Sequence, residues 1–288
     1  MTTVVSALDR LMTLVSPPAL PVDGDGDWQR VEARLGLALP ADFKELLRRY
    51  GVGQFDDITL LTPFDTHPDA VFDLVEYAEA LTSWYDDLRD DDPENFPFPL
   101  YPENGGLLPW AKTGEGTDLC WLTEGRPDDW PTAVWNVREG GHRYDRGAVE
   151  LLYGYLSGQA RVELLSPPPD VPWFDRYRDR REVRIALADG EVPSADRLRI
   201  LREHLAPTSD RRSVEDQLGR RTDNFKAVDR DWLLAFLTGY GPDGIVVRFP
   251  PEDDDDARTA VAAAVRAMGS RMVRATSGRE PVWTDSVA

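Results

Sequence analysis

The chain's 288 residues carry 52 Asp and Glu against 33 Lys and Arg, a formal net charge of −19. Nearly all of the excess falls in residues 1–165, where 30 acids face 13 bases, while the remainder is close to balance at 22 against 20. Such a first half repels phosphate and anionic lipid and attracts basic proteins, which excludes nucleic acid and membrane surfaces as expected partners. A single cysteine, Cys120, excludes an intrachain disulfide and a thiolate zinc cluster, and no run of about eighteen apolar residues is present to span a membrane.

The opening stretch has neither a basic leader region nor a sustained apolar one, so secretion is not expected and the reducing cytoplasm is the expected location. Apolar residues make up 41% of the chain and aromatics 10%, enough for a sizeable core in one large or two modest domains. The excess of Arg over Lys, with many Ala, Asp and Gly, fits a GC-rich bacterial genome.

An apolar opening helix is broken at Ser16-Pro17-Pro18, and the turn Asp23-Gly24-Asp25-Gly26-Asp27 can cap a new helix. Trp28, Val31 and Leu35 follow at helical spacing until Gly36. Leu39-Pro40 starts a further helix, with Pro40 suited to its first turn and Phe43, Leu46, Leu47 and Tyr50 on one face, ended by Tyr50-Gly51-Val52-Gly53. A short strand is predicted over 55–61. A longer helix is predicted from near Pro68, because Val71, Leu74, Val75, Ala78, Leu81 and Tyr85 share a face while the acids fall on the other.

Residues 90–106 hold four prolines and no helical period, which predicts a loop. Strands over 107–111, 118–123 and 132–137, separated by Gly and Pro turns, predict an antiparallel meander. A helix over 146–156 and a last strand over 161–165 complete a first domain, 1–165. The run Ser166-Pro167-Pro168-Pro169-Asp170 predicts a linker over 166–172.

The remaining residues, 173–288, read as a smaller α+β domain. Alternating Arg and acid over 176–184 predicts a salt-bridged, solvated helix. Ser194 can cap a helix through Leu205, and Ser213 to Asp216 has capping-box spacing. A strand over 244–249, an Ala-rich helix over 254–268 and a strand over 271–276 form a β-α-β unit. Its acidic run Glu252 to Asp256 lies where a helix N-terminus favours negative charge, so capping is expected there rather than metal binding.

No constellation of chemistry emerges. Asp23, Asp25 and Asp27 match the first ligand positions of a calcium loop, but Trp28 stands where its glycine is required and Arg34 where its bidentate acid is required. His67, His142 and His204 lie far apart, no nucleophile elbow surrounds any serine, and Cys120 sits inside a strand pattern as an inert thiol. Phosphate-cradling and dinucleotide fingerprints are missing. No metal, cofactor or catalytic residue is expected, and the chain is read as a non-enzyme.

The run over 28–53, WQRVEARLGLALPADFKELLRRYGVG, resembles the opening motif of the SUKH superfamily, which groups bacterial immunity proteins with a fungal cell-wall synthesis regulator. Gly106-Leu107-Leu108-Pro109-Trp110 with Gly116-Thr117-Asp118-Leu119-Cys120-Trp121-Leu122 looks like the family's strand hairpin, and the helix over 149–156 falls where its closing helix lies. The resemblance covers about residues 20–165. It implies an α+β fold in which helices flank a central, mainly antiparallel sheet. It also implies an immunity protein that neutralises a toxin by binding it. No catalytic residues define the family. Trp28, Leu39, Pro40, Tyr50, Gly51, Trp110 and Trp121 are expected to shape and pack the fold.

Charge and resemblance meet in one expectation. Residues 54–103 hold fourteen acids and one base, Arg89. An acidic surface there would occupy the phosphate-binding groove of a basic, nuclease-type toxin. The expected interface is Asp56, Asp57, Asp73, Glu76, Asp86, Asp87, Asp90, Asp91 and Asp92, with Trp84 or Tyr85 as anchor. The alternatives are a regulatory scaffold that binds host proteins and, less favoured, a hydrolase or transferase built from scattered acids and His142. The oligomeric state is left open.

Overall fold

A computed structural model of the chain describes residues 5–64, 73–91 and 93–286 and leaves the side chains of residues 87, 90 and 91 undescribed. The chain divides into two units, Met1–Tyr177 and Arg178–Ala288, each α+β with its own antiparallel sheet.

The first unit opens with α1 (Ala7–Leu14), closed at its N-terminus by a reciprocal box between Ser6 and Asp9. In α2 (Trp28–Leu35) the Asp27 side chain accepts from the Arg30 amide at 3.0 Å, and Gly36 ends the helix in the left-handed region. Pro40 precedes α3 (Ala41–Tyr50) and Gly51 follows it. The chain then runs through β1 (Gly53–Phe55), β2 (Ile58–Leu60), α4 (Leu74–Asp91), β3 (Leu107–Thr113), β4 (Asp118–Leu122), β5 (Thr132–Asn136), β6 (Gly140–Tyr144), α5 (Ala148–Leu156) and β7 (Phe174–Arg176). The sheet order is β6-β5-β4-β3-β2-β1-β7.

Both faces of this sheet are covered. Leu108, Trp110, Leu119, Trp121 and Val134 face a core shared with α1, α3 and α5. Leu107, Cys120, Leu122, Ala133 and Trp135 face α4 and the segment that follows it, through Leu81, Phe96 and Leu100. Every residue of β4 is buried for this reason, as expected of a strand between two layers. Gly51 has φ 71°, and a Cβ there would lie 2.3 Å from the Val22 carbonyl oxygen, so only glycine admits this close approach.

Several elements differ from expectation. Residues 55–61 are not one strand but most of the β1–β2 hairpin, turned at Asp56 with φ 52°. The meander gains a fourth strand, β6, whose glycines and charges carry no strand signal; it is held by pairing with β5. Residues 161–165 form no strand. The added strand is instead β7, beyond the prolines, which pairs with β1. Pro167 to Pro169 therefore lie inside the first unit, and the division falls at Tyr177.

The second unit comprises β8 (Arg181–Leu187), α6 (Ser194–His204), β9 (Thr208–Glu215), β10 (Arg221–Ala227), β11 (Trp232–Thr238), β12 (Gly244–Phe249), α7 (Asp254–Ala267), β13 (Met272–Ser277) and β14 (Glu280–Pro281), in sheet order β14-β13-β8-β12-β11-β10-β9. The β-α-β unit is split: β12 and β13 both run antiparallel to β8, which lies between them.

Residues 176–184 are not helical. Val183, Ile185 and Leu187 alternate into the core, so the charged residues between them belong to a strand's other face. Ser213 to Glu215 likewise ends β9 instead of capping a helix, because Val214 pairs with Thr222 and Asp216 turns the chain by accepting from the Leu218 and Arg220 amides. The Asp253 side chain makes no cap hydrogen bond. It accepts from the Trp232 indole at 2.8 Å, while Asp254 accepts from Arg181 and the Trp283 indole, so these acids tie α7 to its sheet.

Candidate partner-binding surface

α4 carries the surface. Its core stripe, Leu74, Val75, Ala78 and Leu81, is buried, as the helical period predicts. Asp73, expected at the interface, is buried at the residue before the helix and accepts from the Glu76 amide at 2.8 Å. It is an N-cap, not a partner-binding acid. Asp56 is also withdrawn. At 1% exposure it lies in the β1–β2 turn, 3.4 Å from the Tyr155 hydroxyl, with its amide donating to the Trp173 carbonyl. Asp57 beside it is half-buried.

Glu76, Glu79 and Asp86 do face solvent. Glu79 pairs with Arg34 of α2 at 2.8 Å, and Arg89, the lone base of the acidic window, pairs with Asp86 and Glu103. The cations near α4 are thus already engaged while Glu76 stays exposed. Asp87, Asp90 and Asp91 occupy the last turns of α4, but their side chains lie outside the described residues, as does Asp92 altogether.

The two anchor candidates separate. Tyr85 is half-buried, its ring 5.2 Å from that of Trp135 and 6.0 Å from that of Phe96, so it packs the α4–sheet layer. Trp84 is 58% exposed and touches Tyr77 edge-on at 6.2 Å. Leu88, one turn on, is 45% exposed. The sequence reading missed Leu88, because its spacing of three from Tyr85 and seven from Leu81 continues the core stripe, and only the structure shows it in water.

Beneath this edge Tyr77 donates to the Asp118 carboxylate at 2.8 Å, and the Lys112 ammonium lies 4.6 Å from the Tyr77 ring centroid. Asp118 is 3% exposed, and burial pushes its pKa up to about 6 against the restraining Tyr77 bond and Lys112 charge. Burial also lowers Lys112 and raises the Cys120 thiol, which keeps that thiol protonated. His142 stands exposed on β6 opposite Val134.

The expected framework residues sit in packing roles. Trp28 donates to Asp25 at 3.0 Å and meets Phe64 edge-on, which uses the calcium-like loop as a turn. Leu39 and Pro40 are buried, the Tyr50 hydroxyl donates to the Val15 carbonyl at 2.6 Å, and Trp110 and Trp121 flank Phe43. Among the described residues no cluster of His, Cys, Asp and Glu can hold a metal ion, and no helix is long and apolar enough to cross a membrane.

Residues 25–145 match the family model described as SMI1-KNR4 cell-wall. The first unit carries a SUKH-like domain. No curated protein and no solved structure matches the chain. The matched span runs from the loop before α2 through β6 and contains α4. Trp84, Leu88 and the exposed acids are therefore features of the SUKH-like domain, whereas α5, β7 and the second unit lie beyond the match.

Proposed function

We propose that this chain is a non-catalytic, cytoplasmic immunity protein that neutralises a basic, nuclease-type toxin by covering its phosphate-binding groove with the α4 surface of the SUKH-like domain. The observation that carries the reading is the exposed pair Trp84 and Leu88 set among the acids of α4. An aromatic anchor inside a charged rim is the usual arrangement of a tight protein interface, the anchor contributing most of the affinity and the rim excluding wrong partners. The surrounding acids repel nucleic acid and accelerate encounter with a cationic groove, an effect that fades as salt shortens the Debye length below about 8 Å. Binding of this kind needs no cofactor.

The test uses the full chain as bait in native lysate at low salt, followed by titration of the captured toxin domain against its own activity. One-to-one inhibition of a basic toxin, lost in a bait carrying Trp84→Ala with Glu76→Gln, supports the reading. Capture of an acidic or uncharged toxin would refute the electrostatic mechanism. The cell-wall description of the family model and the separate second unit favour a second reading, a scaffold for host proteins. Capture of host proteins alone, in a strain with no adjacent toxin gene, would select it.

A further inference from the structure

The strand β11, Trp232-Leu233-Leu234-Ala235-Phe236-Leu237-Thr238, is apolar at nearly every position. A strand with one face on helices and the other in water alternates apolar and polar residues, and an unbroken apolar run belongs to a strand covered on both faces. In the second unit α6 and α7 pack on one face only, the face of Ile185, Leu234, Phe236, Ile245 and Val247. The intervening residues share the opposite face. Across the register, Ala235 stands beside Val246 and Leu237 beside Gly244, with Leu233 next to Arg248. Val246 is already 4% exposed in the middle of the sheet, while Leu233 and Leu237 remain partly open.

The border of this face is cationic. Arg184 and Arg248, with side chains 60% and 47% exposed, share the single carboxylate of Glu182, and the exposed Arg274 stands opposite Ala186 on the same face. Three guanidinium groups, with one acid among them, therefore line the β12–β8–β13 side of the apolar middle, and Thr222, Asn224 and Lys226 of β10 line its other side. Two copies of this face would oppose guanidinium to guanidinium, which disfavours packing on itself, and a nucleic acid would leave the apolar middle unused. The fitting occupant is apolar at its centre and acidic at its rim. This chain carries an exposed apolar pair, Trp84 and Leu88, beside the exposed Asp86 on the acid-rich helix α4.

We propose that the sheet face of the second unit opposite α6 and α7 is a docking surface for the α4 surface of a second copy of the chain. The contact is head-to-tail, so each copy offers one acidic surface on α4 and one arginine-lined sheet face, and the assembly grows unless it closes into a ring. The proposal stands apart from toxin binding, but it predicts the regulation of that same surface: a basic partner and a second copy compete for α4, and the partner dissociates the assembly.

Sedimentation velocity of the full chain, across a wide range of concentration at low and high salt, tests this. At low salt the average mass rises with concentration and returns to that of one chain at high salt. Trp84→Ala weakens association at least tenfold, as does Arg184→Glu with Arg248→Glu, while far-UV and near-UV circular dichroism stay unchanged. Leu237→Thr, suited to a strand, replaces the arginine variant if that one misfolds.

Mixing the Trp84 variant with the arginine variant restores one intact contact, so a heterodimer forms where neither variant associates alone. A chain that stays monomeric at every concentration overturns the proposal, including one whose β11 is shielded from hydrogen exchange within the monomer. Association indifferent to both variants, or without complementation in the mixture, overturns it equally. None of these results bears on inhibition of a toxin, which is read separately.

Discussion

Replacing Asp118 by Asn removes the most strongly perturbed carboxyl of the SUKH-like domain whose titration lies in an accessible range. The folded pKa of about 6 stands roughly two units above the ordinary value of 3.8 because burial disfavours the charged form. Each unit corresponds to about 1.4 kcal/mol, so the group's contribution changes by about 3 kcal/mol across the interval. The sign follows from where the proton binds more tightly. Between pH 3.8 and 6 the folded chain holds a proton that the unfolded chain has released, so this contribution is fully present below pH 3.8 and is lost as pH rises to about 6.

Asn keeps an acceptor for the Tyr77 hydroxyl but carries no charge. Its amide N–H adds a constant offset of about 1–3 kcal/mol where it finds no acceptor. The pH dependence is therefore the decisive quantity, not stability at one pH. Urea unfolding of both full chains at intervals from pH 4 to 7.5 gives the difference between them, in which distant titrating groups cancel. The difference should move by about 3 kcal/mol in favour of the variant as pH rises, and then level off. Parallel profiles would show that Asp118 is not held in its neutral form and that the burial argument fails.

Gly51→Ala should destabilise the first unit by about 3 kcal/mol or more, because it adds a left-handed side chain and a backbone clash with Val22; the midpoint of thermal unfolding reads this. Arg197 lies 4% exposed with its guanidinium 3.1 Å from Asp243, and Arg197→Met should cost about 3–5 kcal/mol by leaving that carboxylate without its cation, read by urea unfolding. Trp84→Ala should leave stability within about 0.5 kcal/mol while weakening the partner complex by about 2 kcal/mol, a separation that calorimetric titration beside thermal unfolding makes visible.

The elements legible in the sequence are those whose signals are local. α2, α3 and α7 follow from spacing at three and four residues together with Asp27, Pro40, Gly36 and Gly51 at their ends, and β3, β4, β5 and β12 from apolar runs bounded by turns. These signals also sufficed for the resemblance, since the motif consists of the same helix ends and turn residues. The α4 surface was legible in outline, because acids and core residues fall on different faces of one helix.

What the sequence by itself determined is therefore the charge of the first unit and the type of most long elements. Only the tertiary structure decided which of the acids are available. Asp56, Asp73 and Asp118 read as surface groups in any window of sequence, yet a turn, a helix cap and a two-faced sheet remove them from water. The same holds for Trp84 and Tyr85. Neighbours on a helix point about 100° apart, and which one meets the sheet depends on how α4 is laid against Trp135, a residue fifty positions along the chain. The strand β8 alternates at Val183, Ile185 and Leu187, a period that the charged run over 176–184 hides, whereas strands as short as β1, β2 and β7 have too few residues to show a period. Their structure comes from the hydrogen bonds and burial that distant strands supply, and no local pattern encodes those.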